Sequence, residues 1–166
     1  MFLGVDIGGT KCAVVLGDEK GNIIEKVRFA TGKADETVEK IVETLKTLSR
    51  CGNIYSCGVS CGGPLDEKRG IILSPPNLPT WDNIPIKDII EKEIGVTCLV
   101  RNDANASAIA EYYFGAGKGS ENMIFLTFGT GLGAGIILDG KLYSGTNGFA
   151  GAVSYTHLTL PTMAVV

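Results

Sequence analysis

Three short hydrophobic runs open the chain. Residues 2–7, 12–17 and 22–30 each have the length and β-forming composition of a strand, and turn-forming residues at 18–22 separate the last two. This pattern predicts three strands that follow one another as an antiparallel meander.

The hydrophobic pattern then changes to helical spacing. Apolar residues recur every three or four positions over 37–48, which predicts a helix there, and a strand at 54–60 follows it. A second predicted helix at about 86–94 leads to a strand at 97–101. Because strand, helix and strand in succession favour a right-handed crossover, these strands are expected to pair in parallel.

The rest of the pattern predicts one more helix and a second set of strands. The helix begins after Asp103 and ends near Phe114. Strands at 122–128 and 134–138 follow, and residues 139–140 have the Asp-Gly sequence of a hairpin turn.

Composition and charge narrow the possible functions. The chain has 166 residues, of which 45% are hydrophobic, and this length suits one domain or slightly more. Its net charge of −3 gives no basic surface for nucleic acid. No apolar run is long enough for a membrane span or a signal peptide, so we expect a cytoplasmic protein that binds neither nucleic acid nor membrane.

The five cysteines, without a C-x-x-C pair, are expected to be reduced core residues and not zinc ligands.

Asp6 precedes a tight glycine turn. Gly8 and Gly9 let backbone N–H groups converge on an anion, and Thr10 and Lys11 add a hydroxyl group and a positive charge. The segment therefore has the composition of a phosphate cradle, although its spacing is not that of the Walker A loop. The alternative is a plain β-hairpin whose glycines serve only the turn.

A second glycine-rich segment, FLTFGTGLGAGIIL at 125–138, has glycine at every second position between two strand-like runs. It contains Gly129, Thr130, Gly131, Gly133 and Gly135. Close approach of the backbone to phosphate would explain why these glycines lack a Cβ, and this turn could face the first one across the phosphates of a nucleotide. The alternative is a strand with glycine bulges.

Two further segments carry candidate functional residues. Asn102 and Asp103 follow a parallel strand at its ligand-binding end, where an amide suits a sugar hydroxyl and a carboxylate can accept its proton. Asp103 could instead simply cap the helix that it precedes. The other segment combines the turn at 62–64 with a long loop that contains Asn77 and Trp81, and Trp81 could also be a core anchor without a binding role.

Six motifs in this order resemble the ROK family (repressor, open reading frame, kinase) of the sugar kinase, actin and Hsp70 superfamily. They are D-I-G-G-T-K at 6–11, G-V-S-C-G-G-P at 58–64, P-N-L-P-x-W at 76–81, N-D-A-N-A at 102–106, G-T-G-x-G at 129–133 and G-x-N-G-x-A-G at 145–151. The resemblance implies an α/β fold: a ribonuclease-H-like lobe with a mixed sheet of three antiparallel strands plus parallel crossovers, and an incomplete second lobe.

The resemblance also implies an ATP-dependent sugar kinase of the glucokinase type, which transfers phosphate to the 6-hydroxyl of a hexose with Mg²⁺ as cofactor. It makes Asp103 the general base, places Asn102, Asn77 and Gly63 at the sugar, and puts Asp6 on the metal side, in contact with Mg²⁺ through water. The phosphates would be held by Gly8, Gly9, Thr10 and Lys11 and by Gly129, Thr130, Gly131 and Gly133. The intact protein is expected to be a homo-oligomer.

Two other functions stay open. One is a sugar-responsive transcriptional repressor of the same family, but repressors carry an N-terminal helix-turn-helix, for which the five residues before Asp6 leave no room. The other is a non-catalytic module that binds a sugar or a nucleotide. The presence of Asp103 favours the kinase.

After Gly151 the sequence departs from the family, whose kinases continue with a Glu and a His that bind the sugar and then with a zinc motif. Here Ala152 follows, the zinc motif is absent, and VSYTHLTLPT resembles a translated sequencing adapter. The alternative is a genuine closing strand, since threonine and leucine alternate in this segment. We therefore predict an N-terminal ATPase-like lobe over 1–116, the beginning of a second lobe over 117–152, and a non-native tail over 153–166. Such a fragment is expected to aggregate easily and to lack kinase activity by itself.

Overall fold

A computed structural model describes residues 1–128, 132–146, 148 and 150–152 of the chain. Internal packing divides the chain into two units, Met1–Asp103 and a second unit that begins at Ala104. The boundary between residues 116 and 117 that the sequence suggests stays a prediction.

The first unit contains seven strands and two helices. In chain order they are β1 (Phe2–Ile7), β2 (Lys11–Gly17), β3 (Ile23–Ala30), α1 (Ala34–Ser49), β4 (Ser56–Cys61), β5 (Leu65–Asp66), β6 (Ile71–Ile72), α2 (Ile86–Ile94) and β7 (Thr97–Asn102). Helix α3 (Asp103–Phe114) begins at the last residue of this unit. The strands after it are β8 (Met123–Phe128), β9 (Leu132–Leu138) and β10 (Lys141–Tyr143).

Five strands of the first unit form one mixed sheet, in the order β3-β2-β1-β4-β7. Strands β1, β2 and β3 pair antiparallel, whereas β4 pairs in parallel with both β1 and β7. Helix α1 precedes β4 and helix α2 precedes β7, as the predicted crossovers require. The predicted fold class, an α/β lobe with an antiparallel meander and parallel crossovers, is therefore confirmed.

One face of this sheet is buried beneath the two helices. On β1 the buried residues Leu3, Val5 and Ile7 alternate with Gly4 and Asp6, which point to the other face. The helices meet the buried face with apolar residues at helical spacing, and these are Ile41, Leu45, Leu48, Ile86 and Ile90. This packing holds the strand ends, and the loops that leave them, on a rigid support.

The observed elements differ from the predicted ones in a few places. Helix α1 begins at Ala34 instead of residue 37, with Asp35 and Glu36 in its first turn, where negative charge stabilises the helix dipole. The short β5–β6 hairpin was not predicted, and for strand β10 the sequence predicted the turn before it but not its range. Helix α1, with 16 residues, is the longest helix in the described part of the chain, and none there is long and apolar enough to span a bilayer.

Strands β8, β9 and β10 of the second unit form an antiparallel sheet. Asp139 and Gly140, with φ of 49° and 71°, make the tight turn between β9 and β10, which confirms the predicted hairpin. The exposed side of β8 carries Ile124, Leu126 and Phe128, whose side chains are 66%, 52% and 77% exposed. An apolar face of this kind favours association, and the aggregation expected from the sequence stays a prediction.

Gly135 of β9 lies against helix α3. A Cβ placed on Gly135 would clash with the Cβ of Ala108 and lie 2.5 Å from the carbonyl oxygen of Ala104. The helix can approach the strand this closely only because Gly135 has no side chain. Helix packing, and not phosphate binding, therefore explains this glycine, which corrects the interpretation drawn from the sequence.

Candidate functional site

The parallel strands of the first unit end together at one edge of the sheet. In the sheet register Ile7 of β1 lies beside Cys61 of β4, and Cys61 lies beside Asn102 of β7. The loops that follow these three residues therefore start side by side, and the carboxyl end of a parallel sheet is where such folds bind ligands. This edge brings the motifs at 6–11, 58–64 and 102–106 into one place.

The glycine turn after β1 is tightly closed. The N–H of Gly8 donates to the carbonyl oxygen of Lys11 at 3.1 Å, and the hydroxyl of Thr31 donates to the carbonyl oxygen of Gly8 at 2.6 Å. The N–H of Thr31 donates to the carbonyl oxygen of Thr10 at 3.0 Å. Thr31, which sequence analysis did not single out, thus holds the turn from both sides.

The loop with Asn77 lies directly over Gly9. A Cβ placed on Gly9 would lie 2.9 Å from the carbonyl oxygen of Asn77 and 3.1 Å from its side-chain nitrogen. The first distance is too short for a real Cβ and the second is tight, so a side chain at this position would push the loop away from the turn. The candidate phosphate turn and the candidate sugar residue Asn77 are therefore neighbours.

The turn after β4 is the centre of the polar cluster. A Cβ placed on Gly62 would lie 3.7 Å from Nδ2 of Asn77 and 3.8 Å from Oδ2 of Asp103. A Cβ placed on Gly63 would lie 3.7 Å from Nδ2 of Asn102. The three polar side chains predicted for the sugar therefore surround the Gly62-Gly63 turn, as the sequence motifs led us to expect.

Cys61 lies beneath this cluster and is fully buried. Burial is the main cause that raises the pKa of its thiol to about 12, and the negative charges of Asp103 and Asp6 add to the shift. Both carboxylates therefore act on the same buried thiol, from two different strand ends. The Cys61 thiol stays protonated, so it serves as a small core residue beneath the site.

Trp81 anchors the loop that bears Asn77. Its side chain is 1% exposed, and its indole N–H donates to the carbonyl oxygen of Gly32 at 3.3 Å. Leu78 is buried with it, and the N–H of Trp81 donates to the carbonyl oxygen of Leu78 at 3.0 Å. Trp81 thus has the anchoring role that sequence analysis kept as the alternative.

Comparison with known proteins identifies the family. The sequence pattern of the ROK family matches residues 2–165. The chain belongs to the ROK family. The resemblance seen in the six motifs is thereby confirmed.

The ROK relatives include both kinases and repressors. A glucokinase of Thermotoga maritima is 36% identical over 158 residues, which cover 93% of this chain and 50% of that protein. A crystal structure of a ROK family glucokinase from Streptomyces griseus in complex with glucose and AMPPNP is similar with a TM-score of 0.80 and 41% identity, over 89% of this chain and 47% of that one. A xylose repressor of Caldicellulosiruptor bescii is 32% identical over 93% of this chain and 41% of that protein. The chain spans about half the length of the glucokinases that it matches.

The second glycine turn of this ROK chain is only partly described. Gly129, Thr130 and Gly131 lie outside the described residues. Gly133 lies in β9 opposite Thr127, where an added Cβ would lie 3.1 Å from the methyl carbon of Thr127. The phosphate-binding role of these four residues stays a prediction.

The described residues contain no group of three His, Cys, Asp or Glu side chains that could hold a metal ion by themselves. Magnesium in kinases is usually held by one or two carboxylates, water and the phosphates of the substrate. Asp6, exposed at the end of β1 and two residues before Gly8, fits that arrangement. Its predicted contact with Mg²⁺ through water stays a prediction.

Glu67 is a further residue of the site that sequence analysis missed. Its carboxylate accepts a hydrogen bond of 2.9 Å from the N–H of Asn102 and one of 3.1 Å from the guanidinium group of Arg101. In the sequence Glu67 is one of several charged residues in a turn, and no signal there marks it. Its partners lie more than thirty positions further along the chain.

Proposed function

We propose that this chain is the N-terminal part of an ATP-dependent sugar kinase of the glucokinase type, which transfers the γ-phosphoryl group of ATP to the 6-hydroxyl of a hexose. The observation that carries the proposal is the position of Asn77. It lies beside Gly9 of the candidate phosphate turn and also beside Gly62, and Gly62 in turn lies near the carboxylate of Asp103. In this proposal the phosphate turn, the sugar residues and the base lie in one small region. The glucokinase relatives support the same function.

In the proposed reaction the hexose lies against the Gly62-Gly63 turn, where the absence of side chains leaves room for it. Asn77 and Asn102 hydrogen-bond its hydroxyl groups and orient the 6-hydroxyl. Asp103 accepts the proton of that hydroxyl as its oxygen attacks the γ-phosphorus of ATP, and ADP leaves. Positioning and charge therefore carry the catalysis, without a covalent intermediate.

The phosphates of ATP are assigned to the two glycine turns. The backbone N–H of Gly9, the Thr10 hydroxyl and the Lys11 ammonium would contact them. The N–H of Gly8 donates to the carbonyl oxygen of Lys11, so Gly8 would contribute by its lack of a side chain, which lets the backbone come close to phosphate. Gly129, Thr130, Gly131 and Gly133 are proposed to contact the phosphates as well. Mg²⁺, held by Asp6 through water, would neutralise the charge of the phosphates.

Two alternatives belong to other classes. A sugar-responsive repressor is favoured by the xylose repressor relative, and a non-catalytic binding module would use the same polar cluster without turnover. The carboxylate of Asp103 beside the Gly62-Gly63 turn favours the kinase, because a protein that only binds a sugar needs no base at that place. A cytoplasmic location and a homo-oligomeric assembly are parts of the same proposal.

A coupled assay of ADP release with a panel of hexoses tests the proposal. The assay compares this chain with the extended protein, which consists of this chain followed by the second lobe from the same gene. We expect turnover only in the extended protein, with glucose among its substrates. No ADP release from the extended protein with any hexose would overturn the kinase and favour the binding module.

A further inference from the structure

Glu67 lies in the turn between β5 and β6, yet its side chain is only 14% exposed. One carboxylate oxygen accepts the hydrogen bond from the backbone N–H of Asn102, and the other accepts from Arg101. Charged side chains in tight turns normally extend into water. That of Glu67 instead lies against the end of β7.

Among the described residues, strand β7 is the last strand of its sheet and has a neighbouring strand on one side only. The N–H of Asn102 donates to a side chain and not to a strand. A carboxylate acceptor makes this bond stronger than a bond between neutral groups. Glu67 therefore holds the free edge of β7 at its last residue, immediately before Asp103.

The β5–β6 hairpin that bears Glu67 also follows directly on the Gly62-Gly63 turn. Strand β5 begins at Leu65, directly after Gly62-Gly63-Pro64, and Gly63 lies beside the side chain of Asn102. The side chain of Asn102 thus lies beside the turn, and its backbone N–H is hydrogen-bonded to the hairpin that follows the turn. A shift of the hairpin would move both walls of the proposed sugar site.

We propose that Glu67 is a positioning residue, whose carboxylate fixes the backbone at Asn102 and thereby the side chains of Asn102 and Asp103 toward the hexose. This inference rests on the proposed function of those two residues. It assigns no contact between Glu67 and the substrate. The bond to the N–H of Asn102 carries the effect, and the ion pair with the half-exposed Arg101 adds little because water screens it.

Three variants of the extended protein separate these contributions. Glu67→Ala removes both interactions. Glu67→Gln keeps an oxygen that can accept from the N–H of Asn102 but ends the ion pair. Arg101→Met ends the ion pair and leaves the carboxylate in place. Hexose affinity by calorimetry, kcat and KM, and the melting temperature are measured for each.

We expect Glu67→Ala to weaken glucose binding and to lower kcat/KM, each by about tenfold, because a small misplacement of positioned groups is costly. Glu67→Gln and Arg101→Met should stay within about twofold of wild type in both quantities. If Glu67→Ala does not fold, Glu67→Asp, whose shorter side chain cannot reach Asn102, takes its place with the same expectation.

Unchanged glucose affinity and kcat/KM in folded Glu67→Ala would overturn the inference, as would an equal loss in Glu67→Gln and Arg101→Met. A lower melting temperature with unchanged kinetics would show a purely structural role and overturn it as well. If wild type binds glucose without turnover, the proposed kinase fails, and the calorimetric comparison still decides the role of Glu67.

Discussion

The hydroxyl of Thr31 donates a hydrogen bond of 2.6 Å to the carbonyl oxygen of Gly8. Thr31 is the first residue after β3, whereas Gly8 is the first after β1, so this bond ties the glycine turn to the far end of the meander. The N–H of Thr31 also donates to the carbonyl oxygen of Thr10, within the same turn. In the proposed phosphate site, Thr31 therefore keeps the backbone of the glycine turn in the position that phosphate binding requires.

Replacing Thr31 with valine should therefore weaken ATP binding. Valine has nearly the same shape but no hydroxyl, so the bond to Gly8 is lost while the backbone bond to Thr10 remains. We expect the KM for ATP of the extended protein to rise about fivefold, the equivalent of one ordinary hydrogen bond, with the KM for the hexose unchanged. Thr31→Ser keeps the hydroxyl and serves as the control. Equal KM values for ATP in Thr31→Val and Thr31→Ser would contradict this role.

Replacing Asp103 with asparagine should separate binding from catalysis. Asparagine has the same shape but does not accept a proton, so kcat of the extended protein should fall by about 10²-fold to 10⁴-fold. Glucose affinity by calorimetry should change by about threefold at most, since the amide can still hydrogen-bond a hydroxyl. Asp88→Asn, at an exposed position of α2, is the matched control and should keep wild-type kcat. A kcat in Asp103→Asn within about twofold of wild type would exclude Asp103 as the base.

The Gly62 turn offers a test of the sugar site that does not depend on turnover. A Cβ on Gly62 would make only ordinary contacts with Asn77 and Asp103, so Gly62→Ala should fold normally. Its methyl group would nevertheless occupy the space proposed for the hexose, and glucose affinity should fall about tenfold or more. Gly58→Ala is the matched control, because a Cβ there has no neighbour within 4 Å. Similar glucose affinities for the two variants would place the sugar elsewhere.

The local pattern of the sequence was enough to predict the main sheet and its helices. Strands β1 to β3, β4 and β7 follow the predicted ranges within two residues, because each is long enough for its periodicity to be seen. The position of Asn102 and Asp103 near the Gly62-Gly63 turn also followed from the sequence, since parallel strands end at a common edge. The position of Asn77 near them was implied by the family resemblance.

Other features depend on distant parts of the chain and could not be predicted from the sequence. Strands β5 and β6 have two residues each, too few for any period. Glu67 and Thr31 have ordinary local sequences, and their partners Asn102 and Gly8 are 35 and 23 positions away. For Gly135 the cause is the packing of a helix that precedes it in the chain. In each case tertiary contacts, and not local preference, decide the role of the residue.

The buried thiol of Cys61 should make the folded state less stable in alkali. Its pKa is raised from 9.0 to about 12, so in the folded protein the thiol stays protonated where the unfolded chain has already lost the proton. The stability that this group contributes is complete below pH 9 and is lost as the pH rises toward 12.

The free energy of unfolding of the extended protein, measured in urea from pH 8 to pH 11, should therefore fall less steeply in Cys61→Ala than in wild type. Above about pH 9.5 we expect the difference in the free energy of unfolding between wild type and Cys61→Ala to shrink by about 1 kcal/mol per pH unit. Cys51→Ala removes an exposed thiol and should keep the wild-type slope. Parallel curves for wild type and Cys61→Ala would show that the Cys61 thiol is not held protonated by its burial beneath Asp103 and Asp6.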